Sequence, residues 1–474
     1  MRWKLRVVAL GLVAMAAAYL YFPTASLEAR APAPARPAAG PLPWISVSSS
    51  GADRRLVDDQ GRTVLLRGFN SEALLEYPDH RASPLEPEDL QIMRQSGFDV
   101  VRLPISWSSL EPARGRLDRS YLDAIVRLVD LVNSYGLYVI VDMHFSLSWS
   151  PRFGGPGAPD WAQVPLYPDL HRSSSWQLGV VLNPASVAAT TYFWTSGDWQ
   201  RDFEIVWETV AERLRDRSGV VGYDLRNEPH PLPIPPRAFD NHDLWPFYQR
   251  TIEAIARRDP NHLYIVEADS WGTGGTTVRQ LRAPGLVYSP HLYYGSFAPP
   301  AFDGHPQGLR SYLSARLDEA AALGAPAWVG ETGFDGAQPE AAAFADQALD
   351  AYDDLGVGWA WWQWRQNGGW GIRSYDGRSL NAGYLRHLAR PFLAAAPVGV
   401  HAGRGDGLRG HLRITVAANH ADGAVDVSWP GTTLPSPVVA AACVSAHEWR
   451  PAAGTLVLRL KPGQSCAIEL AAAA

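Results

Sequence analysis

Cysteine is almost absent from this chain. Only Cys443 and Cys466 occur among 474 residues, both close to the carboxyl end. Neither stands next to a histidine, so the sequence disfavours a thiol nucleophile and a cysteine-based metal site. The two thiols either form a disulfide, which export from the cell would permit, or remain as two buried free thiols. The sequence leaves both alternatives open.

A basic surface field is also missing. The net charge is −6, the isoelectric point is near 6.1, and no run of lysines occurs. Because nucleic acid is bound through clustered positive charge, no nucleic-acid partner is expected. The chain has no internal repeat, and its apolar content of 46% is ample for a buried core. Its length suits a barrel domain with a small second domain.

The beginning of the chain predicts export. Residues 1–6 are basic, residues 7–22 form an uninterrupted apolar run, and the first later charge is Glu28. Residues 1–27 are therefore expected to act either as a cleaved signal peptide or as a retained membrane anchor. Residues 28–44, rich in alanine and proline, are predicted to be an extended linker. We accordingly expect a secreted or membrane-anchored protein.

The middle of the chain alternates strand-like runs with helical patterns such as residues 121–129 and 203–211. Eight such alternations predict an α/β fold, a (β/α)8 TIM barrel over residues 45–396. A hairpin at 55–62 is predicted to close the barrel bottom. The predicted barrel strands are 63–70, 99–104, 137–144, 220–228, 263–267, 286–293, 327–331 and 358–364.

Two further regions differ from this pattern. Residues 397–474 contain only short strand-like runs separated by turn signals, which predict a small C-terminal β-sandwich. Residues 145–200 are predicted to form one long aromatic loop that follows a barrel strand. Long loops in compact domains are usually functional or disordered, and this one is predicted to form a wall of the substrate cleft. The alternative is a purely structural cover.

Two motifs each place one glutamate just after an apolar run. They are Asp-Leu-Arg-Asn-Glu-Pro at 224–229 and Trp-Val-Gly-Glu-Thr-Gly at 328–333. Glycoside hydrolysis needs two carboxylates, one to donate a proton to the leaving oxygen and one to attack the sugar carbon. The pair Glu228 and Glu331 therefore predicts a glycosidase.

Polar side chains also end the other predicted strands, and the carboxyl ends of barrel strands converge on one site. Arg102 lies in an apolar strand, where a buried guanidinium must pair with a carboxylate. Pairing with Glu331 would keep that glutamate ionised; the alternative is an arginine that reaches solvent. The predicted substrate-binding residues are Arg67, Asn70, Arg102, His144, Asn227, His291, Tyr293 and Trp364.

Several of these residues have two interpretations. Asn227 is predicted to bind the sugar hydroxyl beside the reacting carbon, or to be a cap or turn residue. His144 and His291 are predicted to hold sugar hydroxyls or to position Glu228; no metal-spaced motif occurs, so no metal is expected. Tyr293 is expected to donate to Glu331.

Trp364 is predicted to offer a flat face to a sugar ring. Glu267 also ends a strand, but it lacks an asparagine partner and is not expected to be catalytic. Asp142 and Asp224 lie inside strands and are expected to be structural.

In this set of motifs the chain resembles glycoside hydrolase family five, in the large barrel clan of retaining glycosidases. The matching motifs are Arg-Gly-Phe-Asn at 67–70, Arg-Leu-Pro at 102–104, Asp-Met-His at 142–144, Asn-Glu-Pro at 227–229, His-Leu-Tyr at 291–293 and Gly-Glu-Thr-Gly at 330–333. The resemblance implies that Glu228 is the acid/base and Glu331 the nucleophile. Arg102, His144, Asn227, His291, Tyr293 and Trp364 are then supporting residues.

Within that family the chain is most similar to the endoglycoceramidase-like branch, which cleaves glycan from ceramide. The hints are residues 222–225 before the Asn-Glu-Pro motif, residues 388–392 and the C-terminal sandwich. Phe145 and Ser146 stand where that branch typically has Gln-Asp. The accepted glycan and the lipid aglycone are therefore left open.

The expected function is a retaining β-glycosidase that acts by double displacement on a carbohydrate or glycolipid substrate. Its catalytic carboxyls are expected about 5 to 5.5 Å apart. We expect a monomer that needs no cofactor, with membrane association left open. One alternative is an endo-acting polysaccharide hydrolase of the cellulase or mannanase type. A second, of another class, is a non-catalytic carbohydrate-binding envelope protein.

Overall fold

The structure is a computed structural model. It describes residues 42–48, 54–76, 82–145, 150–151, 155, 157–164, 183–231, 234, 236–269, 281–296 and 301–473. The predicted export segment and nearly all of the predicted linker lie outside these residues.

The first described strands are short and antiparallel. They are β1 (Ser46–Val47), β2 (Leu56–Val57) and β3 (Thr63–Val64). The carboxylate of Asp58 accepts the backbone N–H groups of Gln60 at 3.0 Å and Arg62 at 2.9 Å, which fixes the turn between β2 and β3. This is the hairpin that the sequence predicts. Leu56 and Val64 pack with residues of the barrel interior, so the hairpin covers the barrel bottom.

A parallel sheet forms the barrel. Its strands are β4 (Arg67–Asn70), β5 (Val100–Ile105), β6 (Tyr138–Met143), β7 (Val220–Asp224), β8 (Leu263–Val266), β9 (Leu286–Tyr288), β10 (His291–Leu292), β11 (Trp328–Thr332) and β12 (Gly358–Trp361). β12 pairs with β4, and Tyr288 forms a parallel bridge to Ala327, so the ring closes. Because β9 and β10 are two parts of one strand, the described residues form eight barrel positions. The predicted (β/α)8 fold is confirmed.

Helices surround this sheet. The described helices are α1 (Pro87–Gln95), α2 (Trp107–Leu110), α3 (Arg119–Ser134), α4 (Pro184–Thr195), α5 (Gly197–Leu214), α6 (Pro236–Phe239), α7 (Trp245–Ala256), α8 (Pro306–Leu323), α9 (Ala341–Leu355) and α10 (Ala382–Leu388), with a π-helical turn at Asp240–Leu244 and a 3-10 turn at Pro451–Ala453. In α3, Leu122, Ile125 and Val129 follow the helical period and are buried. Among the described residues, no helix combines the length and the apolar character needed to cross a bilayer.

The predicted loop at 145–200 contains a helix. α4 begins after Asn183, whose side chain accepts the N–H of Ala185, and Pro184 occupies the first turn. The helix is apolar on every side, so its sequence shows no helical period. Phe193 and Trp194 are buried, and both rings lie within 5 Å of the Arg226 guanidinium. Phe193 and Trp194 therefore have a structural role, whereas Tyr192 is exposed. Trp149, Tyr167 and Trp176 lie outside the described residues, so the prediction of a cleft wall stays a prediction.

The end of the chain forms two antiparallel sheets. Their strands are β13 (Phe392–Ala396), β14 (Val400–Ala402), β15 (His411–Val416), β16 (Ala424–Ser428), β17 (Pro437–Ala440), β18 (Val444–Arg450), β19 (Thr455–Leu460) and β20 (Cys466–Ala472). One sheet has the order β1-β2-β3-β13-β16-β19-β18 and the other β14-β15-β20-β17. Leu412, Ile414, Val427, Leu458 and Ile468 belong to the buried core of this region. The predicted sandwich is present.

The sandwich shares strands with the start of the chain. Ala395 and Ala396 of β13 pair with Val64 and Thr63 of β3. The predicted boundary after residue 396 therefore differs from the structure, since β13 and β1 to β3 all belong to a sandwich sheet. Cys443 and Cys466 form a disulfide with a Cα–Cα distance of 5.9 Å, which joins the two sheets. This settles the open alternative in favour of the bridge.

Candidate active site

The two motif glutamates lie together at the carboxyl end of the barrel. Glu331 is in β11, and Glu228 lies four residues after the end of β7. One carboxylate oxygen of each and a ring nitrogen of His291 all lie within 4.8 Å of one another. This separation fits the retaining geometry and leaves too little room for the water that inversion requires between the two carboxyls.

Arg102 is the centre of the site and is completely buried. Its Nη1 donates to Glu331 Oε1 at 2.7 Å and to Asn70 Oδ1 at 3.1 Å. Its Nη2 donates to Asn227 Oδ1 at 3.0 Å. The predicted contact between Arg102 and Glu331 is therefore present. Since Arg102 and Asn70 have no exposed surface, they hold the reacting groups in place and do not touch a sugar, which corrects their assignment as substrate-binding residues.

Three more buried carboxylates surround the same guanidinium. Asp224 accepts from Arg102 Nε at 2.9 Å, Asp142 lies 3.1 Å from Nη2, and Glu267 accepts from Nη2 at 3.2 Å. Burial disfavours the guanidinium charge, but these carboxylates and Glu331 outweigh burial and raise the pKa of Arg102. Burial also raises the pKa of Asp224. Asp142 and Asp224 therefore support the site from beneath, as structural residues.

Glu331 is held from both sides. Tyr293 Oη donates to Glu331 Oε2 at 2.9 Å, opposite to the Arg102 contact. His291 Nδ1 lies 3.5 Å from the same oxygen. A side chain at Gly330 would place its Cβ 2.3 Å from Ser289 Oγ and 3.1 Å from His291 Nε2, so only glycine permits this close approach.

Glu228 has an unusual backbone conformation. Its φ angle of 41° is the only positive value at a non-glycine residue within the described part of the chain. Such strained conformations persist where the surroundings fix them, and they cluster at functional sites. The N–H of Glu228 donates to Glu267 Oε2 at 2.8 Å, and His291 Nδ1 lies 3.0 Å from Glu228 Oε1.

The charges around Glu228 act against its burial. Burial alone would raise the pKa of the Glu228 carboxyl, but His291, His144 and Arg102 together lower it. Burial likewise opposes the charge on His291, yet Glu267, Glu331 and Glu228 raise its pKa well above the ordinary value. The three glutamates around His291 therefore favour its protonated form.

A second histidine faces the cleft beside a tryptophan. His144 Nδ1 lies 2.7 Å from Asp142 Oδ2, and its ring stacks on Trp362 with centroids 5.5 Å apart. Although burial opposes it, Asp142 raises the pKa of His144. Both rings are partly exposed, so they are available to a sugar ring and its hydroxyl groups.

Two predicted site residues lie elsewhere. Arg67 pairs with Asp353 at 2.7 Å and lies over the Phe392 ring at 4.4 Å, outside the barrel wall. The prediction for Arg67 is wrong because side chains alternate along a strand, so Arg67 and Asn70, three residues apart, face opposite sides.

Trp364 also lies outside the cleft. It is fully buried, and its Nε1 donates to Asp89 Oδ1 at 2.8 Å. The sequence-based alternation assumed a strand that continues to residue 364, whereas β12 ends at Trp361. Trp362 takes the place that was predicted for Trp364.

Sequence reasoning missed the positions of Glu267 and Trp362. Glu267 directly follows β8, and Glu331 lies at the end region of β11; this similar placement was the available signal, but the lack of an asparagine partner beside Glu267 outweighed it. Trp362 lies in the same aromatic run as Trp364, and only the end of the strand distinguishes the two. The predicted residues Asn227 and His291 do lie in the site.

Within the described part of the chain, two groups of side chains have the spacing of metal ligands: Glu228 with His291 and Glu331, and Asp142 with Asp224 and Glu267. The second group surrounds the Arg102 guanidinium, which already supplies a positive charge there. The first group is the candidate catalytic pair with its bridging histidine.

Comparison with known proteins agrees with this geometry. Residues 57–368 match the model of the cellulase family, glycosyl hydrolase family 5. The chain belongs to glycosyl hydrolase family 5. Among curated proteins, endoglycoceramidase I of Rhodococcus hoagii (strain 103S) is 29% identical over 260 residues, which cover 54% of this chain and 50% of that protein. The chain spans about half the length of the curated endoglycoceramidases that it matches.

Similarity to solved structures extends over most of the chain. A crystal structure of endogalactoceramidase is 27% identical with a TM-score of 0.75, covering 91% of this chain and 100% of that one. Endo-glycoceramidase II from Rhodococcus sp., in complex with ganglioside GM3, is 25% identical with a TM-score of 0.74, covering 89% and 99%. The same enzyme has also been solved as a lactosyl-enzyme intermediate, with a TM-score of 0.73.

Proposed function

We propose that this chain is a retaining β-glycosidase that releases the glycan from a glycolipid. The observation that supports it most is the close pair Glu228 and Glu331, with Arg102 and Tyr293 each donating to one oxygen of Glu331. Two donors stabilise the carboxylate charge and aim the group, as a nucleophile requires. Glu228 is held differently, beside a histidine, as suits a group that exchanges a proton.

The reaction takes two steps. In the first, a Glu331 oxygen attacks the anomeric carbon, the bond to the aglycone oxygen breaks, and Glu228 gives its proton to that oxygen. In the second, Glu228 takes a proton from water, whose oxygen displaces Glu331 from the sugar. Asn227 lies beside the pair and is placed to bind the neighbouring sugar hydroxyl, while Trp362 and His144 offer the ring-stacking surface.

The lipid aglycone is proposed from the relatives. The curated and solved relatives reported above are endoglycoceramidases or an endogalactoceramidase, and one of them was solved with ganglioside GM3. The lactosyl-enzyme intermediate of that relative supports the covalent route for this chain. A glycosphingolipid is therefore the proposed substrate class.

The deciding experiment is mass spectrometry of the products from a mixed panel of glycosphingolipids and soluble polysaccharides. The wild-type enzyme is expected to yield intact ceramide and free glycan, and Glu331→Gln neither. Sugar oligomers without ceramide would move the chain to the polysaccharide hydrolases. Equal turnover by Glu331→Gln would reject the mechanism, and no products from either protein would favour a binding protein.

Export and possible anchoring form a second part of the proposal. The basic residues 1–6 with the apolar run 7–22, and the Cys443–Cys466 disulfide, both suit a protein that works outside the cytoplasm. Cell fractionation with intact-mass analysis tests this. A full-length protein in the membrane fraction indicates an anchor, a shortened soluble one indicates a signal peptide, and a cytoplasmic one contradicts export. Sedimentation of the purified protein tests the expected monomer.

A further inference from the structure

Glu267 contacts Glu228 by two separate routes. Its Oε2 accepts the backbone N–H of Glu228 at 2.8 Å. Its Oε1 lies 3.2 Å from His291 Nε2, and His291 Nδ1 lies 3.0 Å from Glu228 Oε1. The Glu228 backbone N–H, the Glu267 carboxylate, the His291 imidazole and the Glu228 carboxyl thus form a closed ring that involves three residues. Only 3% of the Glu267 surface is exposed, so water does not compete for these contacts.

We propose that Glu267 is a positioning residue for the proton donor: it fixes the strained backbone of Glu228 and, through His291, keeps a proton within reach of the Glu228 carboxyl. This inference rests on the proposed glycosidase function. Glu267 does not meet the substrate in this arrangement, and its effect passes through the other two members of the ring.

The backbone contact has a physical purpose. A non-glycine residue at φ 41° costs about 1 to 3 kcal/mol unless its surroundings compensate. The charge-assisted bond from the Glu228 N–H to Glu267 is of the kind that supplies such compensation. The main chain of Glu267 is itself fixed, because Tyr248 Oη donates to its carbonyl at 3.1 Å and accepts its N–H at 3.2 Å.

The imidazole contact has a second purpose. With Nε2 lying 3.2 Å from Glu267 Oε1, the His291 ring keeps Nδ1 at 3.0 Å from Glu228 Oε1, so a proton on the pair lies between the imidazole and the carboxyl. When His291 Nδ1 passes that proton to Glu228, the imidazole becomes neutral and keeps its other proton on Nε2, on the side of the ring that faces Glu267. The proton then goes from Glu228 to the leaving oxygen, so no charge is left unaccounted for.

Other charged and titratable groups face this ring. They are Arg102, Asp142, His144, Asp224, Arg226, His230, Tyr248, Tyr293 and Glu331. Burial raises the pKa of Glu267, whereas His291 and Arg102 act against burial. On His291, burial lowers the pKa and Glu267 is the strongest of the groups that raise it. Removing the Glu267 charge must therefore weaken the hold of the His291–Glu228 pair on its shared proton.

The test uses Glu267→Gln in the full-length enzyme. Loss of one negative charge at this distance should move the alkaline limb of the pH–rate profile down by about 1 to 3 pH units. The shift is downward because activity needs the proton shared by His291 and Glu228, and the variant loses that proton at a lower pH than the wild-type enzyme. The matched control is Glu319→Gln, which removes a buried glutamate that pairs with Arg316 and Tyr288 behind the barrel wall. Its alkaline limb should stay at the wild-type pH.

A leaving-group comparison separates positioning from a general loss of structure. Glu267→Gln should lose much of the about 10²- to 10⁴-fold contribution of general acid catalysis on an alkyl or lipid glycoside. It should lose little in the glycosylation step of a dinitrophenyl glycoside, whose leaving group needs no proton. An unmoved alkaline limb, or equal losses on both substrates, would overturn the role of Glu267. The proposed glycosidase function is tested separately by Glu331→Gln. If that variant is inactive, the glycosidase function stands even when the role of Glu267 is rejected.

Two further measurements serve if Glu267→Gln does not fold. Glu267→Asp keeps the charge but withdraws it by one methylene, so the alkaline limb should stay near its wild-type position while turnover on the lipid glycoside falls. In the wild-type enzyme, nitrogen NMR of labelled histidine should show His291 protonated on both ring nitrogens at neutral pH. A neutral His291 there would contradict the proposal.

Discussion

The ring of Trp362 stacks on the ring of His144 with their centroids 5.5 Å apart and their planes 15° from parallel. Two residues further on, Trp364 is fully buried and donates to Asp89. Neighbouring tryptophans of one sequence run thus have different roles, one facing the cleft and one anchoring the segment that supports it. Asp89 also accepts from Arg373 at 2.7 Å, which fixes the same segment at a second point.

Replacing each tryptophan should separate these roles. Trp362→Ala should lower kcat/KM for the glycolipid about tenfold through loss of ring stacking, with little change in melting temperature. Trp364→Phe should instead cost about 1.5 to 3 kcal/mol of unfolding free energy, because a buried donor to a charged acceptor is lost. Kinetics and urea unfolding of both variants measure this. If Trp364→Phe lowers kcat/KM more than Trp362→Ala does and leaves stability unchanged, the sequence-based prediction that Trp364 stacks on a sugar ring would be supported instead.

Arg67 should matter for stability and not for substrate binding. Its partner Asp353 is buried with it, and Asp353 also accepts from Arg390 at 3.1 Å. Because Arg390 remains, Arg67→Ala should lie at the lower end of the range for broken buried pairs, about 3 kcal/mol in unfolding free energy. At temperatures where Arg67→Ala is still folded, its KM should equal the wild-type value, because Arg67 does not contact the substrate. A raised KM in a fully folded variant would place Arg67 in the site after all.

The disulfide should stabilise the sandwich without affecting catalysis. Cys443 and Cys466 are 23 residues apart in sequence, a loop for which cross-linking contributes about 3 kcal/mol. The double variant Cys443→Ala with Cys466→Ala should therefore unfold at lower urea concentration, and reduced wild-type protein should behave likewise. Turnover at low temperature should not change, since no residue of the candidate site lies in the sandwich. Equal stability of oxidised and reduced protein would contradict this expectation.

Much of the barrel could be predicted because its strands are short apolar runs that end in polar residues. The contacts of Arg102 and Tyr293 with Glu331 follow from that placement, since strand ends converge. The failures have local causes. α4 has no polar face, so its period is hidden, and the pair Asn183 and Pro184 was the remaining signal for its start.

The role of Glu267 could not be deduced from its surroundings in the sequence. Its importance comes from a backbone N–H 39 residues away and from a histidine on the next barrel position. Neither contact leaves a trace in local composition or periodicity. The pairing of β3 with β13 was hidden for the same reason, because a short alanine-rich run shows nothing of its distant partner.

That pairing sets an order on the formation of the native protein. β3 emerges from the ribosome more than three hundred residues before β13, its neighbour in the sheet. A nascent chain therefore has an unfinished sheet edge under its barrel until residues 392–396 are made. If the chain is exported unfolded, this delay is harmless, since both partners arrive before folding begins. A version shortened at residue 391 would keep every catalytic side chain and lose the strand that completes its floor.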